Sequence, residues 1–337
     1  MKSIFMGDER QIAKVYPKET ILQLEQEAAL DASRVYTAEN WNADPAVLAD
    51  VDYIFTTWGM LPLTEEEIAT YLPNLKAVFY SAGSVQFFAR PFLNRGIRVF
   101  SAWGANAVPV AEFALAEIIL ANTGFFQAHH MHSKADRGTT AAYTHTFPGN
   151  YACKVGIIGA GMIGRMVVER LKKDYHLDVL VFDPFLPDEA AAQLGVRKCS
   201  LTELFTECQT ISNHLANNPQ TVGMLNYETC FSHMKANATF INTGRGAQVV
   251  EEDLIRALKE SPARTAVLDV TFPEPPEDDS EFYTLPNVIL TPHAAGSKGQ
   301  EVWRMSLYML EEFRRMTGTG ECAPKYEVSL KMLETMA

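Results

Sequence analysis

Cys153-Lys154-Val155-Gly156-Ile157-Ile158-Gly159-Ala160-Gly161-Met162-Ile163-Gly164 decides the fold, together with Asp178-Val179-Leu180-Val181-Phe182-Asp183 further on. An apolar run ends in Gly-x-Gly-x-x-Gly, a helix-like segment follows to about Asp174, and a second apolar run ends in an acid 19 positions after Gly164. This is the layout of a dinucleotide-binding βαβ unit. Gly159 permits the tight turn out of the strand, Gly161 has no side chain to hold the backbone off a pyrophosphate, and Gly164 lets the helix pack on the sheet. The helix N-terminus offers free N–H groups to the phosphates. Asp183 can accept hydrogen bonds from both ribose hydroxyls and repels a 2′-phosphate, and the following Pro184-Phe185 brings no cation to offset that repulsion. The expected cofactor is therefore NAD rather than NADP. A lone Gly-x-Gly-x-x-Gly is only a turn, but here strand, helix, second strand and acid follow in order.

Around this unit lies a chain of 337 residues, long enough for two domains of ordinary size. Its 47% hydrophobic and 21% charged residues are those of an ordinary soluble globular protein. The formal net charge of −12 argues against a nucleic-acid partner, which would require a basic face. An anionic substrate must then be held by a local cation or by backbone N–H groups. The N-terminus turns charged at Asp8-Glu9-Arg10, too soon for a signal peptide, and no uncharged apolar stretch approaches the ~18 residues that span a bilayer. The expectation is a cytoplasmic protein with no membrane partner. Cys153, Cys199, Cys208, Cys230 and Cys322 are odd in number and have no C-x-x-C spacing, so reduced, mostly buried thiols are expected rather than disulfides or zinc ligands.

Before the nucleotide unit, short apolar runs alternate with helix-like segments at 3–6, 34–36, 52–56, 76–80 and 97–100. Strands alternating with helices imply a parallel sheet covered on both faces. This half has no glycine-rich phosphate loop and is the better candidate for holding substrate, beyond strand ends at Thr56–Met60, Ser81–Ser84 and Ser101–Val108. An apolar helix is predicted from Val108 to about Ala128, with Val110, Phe113, Ala114, Glu117, Ile118 and Ala121 at helical spacing. The first domain crossing is placed just before it. His129-His130-Met131-His132 has no acid or cysteine placed to complete a metal shell and reads as a polar helix end, so no metal is expected. After the nucleotide unit, apolar runs at 210–215, 238–243, 265–270 and 287–291 extend the second sheet. A last helix is predicted to begin at Ser297-Lys298-Gly299-Gln300, a capping-box pattern, and to stop at Gly318.

Three stretches fall at strand ends of that second sheet: Ile241-Asn242-Thr243-Gly244-Arg245-Gly246, Leu268-Asp269-Val270-Thr271-Phe272-Pro273-Glu274-Pro275 and Leu290-Thr291-Pro292-His293-Ala294-Ala295-Gly296. Strands of one parallel sheet would bring an arginine, a carboxylate and a histidine to one edge. With these motifs in this order, the chain resembles the NAD-dependent D-isomer-specific 2-hydroxyacid dehydrogenases over essentially its whole length.

The resemblance implies two Rossmann-like doubly wound α/β domains. One is a discontinuous, flavodoxin-like substrate domain, 1–107 plus 298–337, and the other an NAD-binding Rossmann domain, 108–297. It implies Arg245, Glu274 and His293 as the catalytic triad, and a small 2-oxo or 2-hydroxy acid as substrate, with Ala82 and Gly83 offering backbone N–H groups to its carboxylate. Gly159, Gly161, Met162, Ile163, Gly164, Asp183, His214, Thr243, Gly244, Asp269 and Gly296 would surround the cofactor. Arg245 presents a planar cation to a planar anion. His293 would exchange a proton with the carbonyl oxygen, while Glu274 would favour the imidazolium and orient the ring. The family usually pairs as homodimers. It also includes phosphoglycerate dehydrogenases, and the related corepressors keep the same triad. Gly244 stands where alanine is usual, and Ser81-Ala82-Gly83-Ser84-Val85 replaces the common Gly-Val-Gly followed by aspartate.

Overall fold

A computed structural model describes residues 1–132, 137–320 and 322–334. The chain divides into two compact units, Met1–Ala107 with Ser297–Ala337, and Val108–Gly296.

The first unit contains β1 Ser3–Met6, β2 Leu30–Tyr36, β3 Tyr53–Thr56, β4 Ala77–Tyr80 and β5 Arg98–Ser101. They form a parallel sheet in the order β2-β1-β3-β4-β5, and the short strand Glu327–Val328 adds antiparallel to β5. This is the flavodoxin-like order. β1, β3 and β4 are buried at every position, as expected of short apolar strands covered on both faces. Phe55, Phe79 and Phe100 stack across neighbouring strands at 5.0 and 4.9 Å, and Phe313 of the helix Glu301–Thr317 packs on Phe55 and Phe79. Such aromatic pairs contribute about 0.5–1.5 kcal/mol each beyond their buried area.

In the second unit, β6 Lys154–Ile158, β7 Asp178–Phe182, β8 Arg197–Lys198, β9 Thr210–Asn213, β10 Thr239–Asn242, β11 Thr265–Leu268 and β12 Val288–Leu290 form a wholly parallel sheet. The order is β12-β11-β10-β9-β6-β7-β8, a doubly wound sheet whose direction reverses between β6 and β9. The register aligns Phe182, Ile158, Asn213, Asn242, Leu268 and Leu290 across six strands. One residue further, Asp183, Gly159, His214, Thr243, Asp269 and Thr291 stand in a row on the carboxyl edge.

Two helices differ from the sequence expectation. The helix predicted from Val108 to about Ala128 begins at Trp103 and ends at Asn122; Gly124, at φ 70°, separates it from a second helix, Phe125–Met131. Its first turn forms early because Ala102 O accepts from both Ala105 and Asn106 N, and Ala105 is fully buried. It is long and apolar enough to cross a bilayer by length and composition, yet it carries Glu112 and Glu117, and Ala111, Ala114, Ile118 and Ala121 pack with Val155, Ile157, Ile241 and Val267. The last helix starts at Glu301, not Ser297. Ser297 N donates to Asn106 Oδ1 and Gly299 takes φ 53°, so the expected capping box gives way to a different link, Lys298 N to Glu301 Oε2. The stop at Gly318 is as expected, at φ 80°. The cysteines are free, with Cys153, Cys208 and Cys230 buried and Cys322 exposed. Among the described residues, no group of three or more His, Cys, Asp or Glu side chains is placed to hold a metal.

Candidate active site

Each expected site residue of the second unit lies on or just beyond the carboxyl row. After β6, Gly159 turns at φ 89°, where a Cβ would meet the His214 carbonyl carbon at 2.8 Å. A Cβ on Gly164 would lie 2.0 Å from Gly159 O, whereas one on Gly161 would meet nothing within 4 Å. The loop is therefore packed tightly on its inner side and open at Gly161. Gly161 caps the helix Met162–Tyr175 with no side-chain bond, so Met162 and Ile163 begin a fourteen-residue helix whose first N–H groups face outward uncapped. Asp183 is anchored by Ala160 N to Oδ2 at 2.7 Å and by Phe185 N to Oδ1 at 2.7 Å, leaving lone pairs on both oxygens for ribose hydroxyls. These residues fit a dinucleotide. The sequence reading missed Arg165, whose Nε donates to Ala160 O at 2.8 Å and so sets a cation beside the loop.

In the middle of the row, His214 is buried between Ser212 Oγ, 3.0 Å from Nε2, and Thr243 Oγ1, 3.2 Å from Nδ1. Burial pulls the imidazole down to about 4, so it is neutral near pH 7. Arg245, three residues past β10, is held by a network also not foreseen. Gln248 Oε1 accepts from Asn213 Nδ2 at 2.7 Å and Arg245 N at 3.3 Å, and Gln248 Nε2 donates to Leu215 O and Ala216 O at 2.9 Å. Asn242 Oδ1 accepts from Gly244 N, and Asn242 Nδ2 donates to Arg245 O. Three amide side chains thus fix the backbone on either side of the guanidinium. Burial pulls Arg245 below its ordinary value, and the charge of Glu274 acts in the opposite direction.

His293 Nδ1 lies 2.8 Å from Glu274 Oε1, and both side chains are about half exposed. The ring is presented by a strained backbone: His293 has φ 51°, a left-handed conformation uncommon for a side chain of this size. Two bonds hold it there. His293 N donates to Thr291 O, closing a tight turn about Pro292, and to Asp269 O, each at 3.0 Å. The Asp269 carboxylate completes the clasp, Oδ1 accepting from Thr291 Oγ1 and Ala294 N and Oδ2 from Ala295 N. Glu274, His293 and Asp269 are therefore joined by hydrogen bonds, and the charge of Glu274 is felt at Arg245, while Gly296 is the last residue of the unit.

The first unit holds the other expected contacts. Ser81, Ala82 and Gly83 follow β4, fastened by Thr57 Oγ1 to Ser81 O and by Ser101 Oγ to Ala82 O and Gly83 O. Ala82 N donates to Tyr80 O at 2.9 Å, so of the two expected amides Gly83 is the one to offer. The large apolar side chains of the strand-end stretches are placed differently from one another. Met60 is 2% exposed and belongs to the core, and Trp103 is the first residue of a helix and packs edge-on to Tyr326. Trp58 is half-buried, and Lys14 Nζ stands 5.7 Å from its ring centroid, a cation from outside the strand-end stretches.

Residues 118–295, just over half of the chain, match the family model described as D-isomer specific 2-hydroxyacid dehydrogenase, NAD binding domain. The chain belongs to this family. Its cofactor is accordingly NAD. Among curated relatives, it is 35% identical over 208 residues to a putative 2-hydroxyacid dehydrogenase, YoaD, of Bacillus subtilis, covering 60% of this chain and 59% of that one. It is 31% identical over 222 residues to the D-3-phosphoglycerate dehydrogenase of Archaeoglobus fulgidus, covering 66% of this chain and 41% of that one. These matches thus span less than two thirds of either relative. The crystal structure of a phosphoglycerate oxidoreductase from Rhizobium etli has the same fold, with a TM-score of 0.76 at 21% identity, over 98% of this chain and 99% of that one.

Proposed function

We propose that the chain is an NAD-dependent D-2-hydroxyacid dehydrogenase that interconverts a small 2-oxo acid and its D-2-hydroxy acid, with His293 as general acid and base. The observation that carries this is the 2.8 Å contact between His293 Nδ1 and Glu274, beside an arginine whose charge environment includes that same glutamate. NADH, when bound, supplies the hydride. With Nδ1 engaged by Glu274, the opposite nitrogen, Nε2, gives its proton to the carbonyl oxygen during reduction and takes it back during oxidation. Arg245 binds the substrate carboxylate and polarises the adjacent carbonyl. Glu274 keeps the ring oriented, and Asp269 keeps the strained turn closed.

For the substrate, our reading is an unphosphorylated acid such as glyoxylate or hydroxypyruvate, because Thr56–Met60, Ser81–Ser84 and Ser101–Val108 contain no lysine or arginine. A buried phosphate without a cation is strongly unfavourable. Lys14 beside Trp58 favours a second reading, a phosphorylated acid. The ratio of kcat/KM for hydroxypyruvate and 3-phosphohydroxypyruvate with NADH decides between them. A clear preference for the phosphorylated acid, lost in Lys14→Ala, would establish the second.

In the same reading the protein is cytoplasmic and pairs as a homodimer through its nucleotide units, where Leu120, Phe125 and Met131 are exposed on the segment 103–131. Light scattering at micromolar concentration checks this, a monomer counting against it. Partner binding gated by NADH without useful turnover would instead indicate a corepressor-like role.

A further inference from the structure

Glu117 lies on the face of the helix Trp103–Asn122 that packs on the second sheet, in line with Ala114, Ile118 and Ala121. An acid on this stripe is out of place. It is 8% exposed, and its Oε2 is buried with no hydrogen-bond partner among the described residues. The strand side chains packed with the stripe, Val155, Ile157, Ile241 and Val267, are aliphatic. From the neighbouring helix Met162–Tyr175 the charged group facing this one is Arg170, whose Nη2 lies 3.6 Å from Glu112. From the end of β11 it is Asp269, whose charge acts on Glu117 directly. Asp269 stands two positions past Val267 with its amide still in the strand ladder, donating to Asn242 O, so the two share the sheet face that the helix covers. Two buried carboxylates on one face, feeling one another's charge, are tolerable when one of them carries a proton.

We propose that Glu117 is a positioning residue for the reaction at His293, acting through Asp269. The inference rests on the reading that His293 exchanges the proton. Both oxygens of Asp269 are committed as acceptors, to Ala294 N, Ala295 N and Thr291 Oγ1, the bonds that clasp the strained turn. Glu117 is the member that gives up its charge, since burial and the Asp269 carboxylate push it up to about 8. When Glu117 ionises, repulsion between the two carboxylates opposes the clasp, and the turn bearing His293 is released.

The oxidative direction tests this, because it requires neutral His293 and so has no alkaline loss of its own from that group. With NAD and D-glycerate as the probe, from pH 6 to 10, kcat should rise and then fall by about ten- to a hundred-fold, the range expected for a displaced catalytic group. Glu117→Gln should keep the rise and abolish the fall. A fall retained in Glu117→Gln, or none in the parent, overturns the proposal. Infrared spectroscopy of the NAD-bound parent provides a measurement that does not depend on turnover. A protonated carboxyl band should be present at pH 7 and disappear on alkalinisation, at a lower pH in Asp269→Asn, where the neighbouring charge is gone. No band at pH 7, or no shift in Asp269→Asn, would also overturn it. If His293→Ala keeps turnover while the band behaves as stated, the underlying reading of His293 fails and not the pairing of Glu117 with Asp269.

Discussion

His293 Nδ1 lies 2.8 Å from Glu274 Oε1, although the histidine follows β12 and the glutamate lies in the turn after β11. That contact engages Nδ1 and leaves Nε2 as the free ring nitrogen. Glu274→Gln keeps the side-chain shape but removes the charge, and kcat for 2-oxo acid reduction is expected to fall about 10–100-fold, with NADH affinity within about threefold of the parent. Steady-state rates and fluorescence titration of NADH check this, and unchanged kcat would count against a role for the pair.

Our reading assigns the cofactor preference to Asp183. Asp183→Ala removes the carboxylate that repels a 2′-phosphate, and the kcat/KM ratio of NADH to NADPH is expected to fall at least about tenfold, equivalent to about 1.4 kcal/mol. Equal use of both cofactors by the parent would refute the assignment.

Gly246 has no room for a methyl group: a Cβ would lie 1.9 Å from the Thr271 carbonyl carbon. Gly246→Ala must displace the chain beside Arg245 or the one leading to Glu274. A destabilisation of about 1–3 kcal/mol is expected from overpacking, with loss of most turnover. Urea denaturation and steady-state kinetics measure both, and a variant matching the parent in stability and rate would contradict the packing.

His214 links stability to acid. Its buried imidazole holds its proton only below about 4, whereas the unfolded side chain takes one up near 6.5. The unfolded state therefore binds more protons between these values, and this group's contribution to stability is complete above pH 6.5 and lost as pH falls towards 4. The slope is about 1.4 kcal/mol per pH unit. Denaturant midpoints of the parent and His214→Gln from pH 4 to 7 should diverge with that slope; parallel curves would show that the histidine titrates normally.

Much of this was legible in local sequence because its causes are local. Gly-x-Gly-x-x-Gly with an acid after the second strand specifies the turn, the helix start and the place of Asp183, and the apolar runs mark every strand but the two short ones, Arg197–Lys198 and Glu327–Val328. The row on the carboxyl edge follows once those strands pair in parallel register. What could not be read depends on partners distant in the chain. Ser297 suggests a helix cap, but its amide goes to Asn106, and the helix expected from Val108 starts at Trp103, where Ala105 is buried. Gln248 bonds to Asn213 and to the carbonyls of Leu215 and Ala216, a connection no spacing reveals. Glu117 did leave a signal, an acid on an apolar helical stripe, although its neighbour Asp269 is 152 positions away.

If His293 exchanges the proton with the substrate carbonyl, turnover of a panel of 2-oxo acids with NADH separates the parent from His293→Ala. At least one acid should be reduced by the parent, with kcat lower by about 10²–10⁴-fold in the variant and NADH binding nearly intact. A His293→Ala protein that reduces the same acid within a few-fold of the parent would contradict the account.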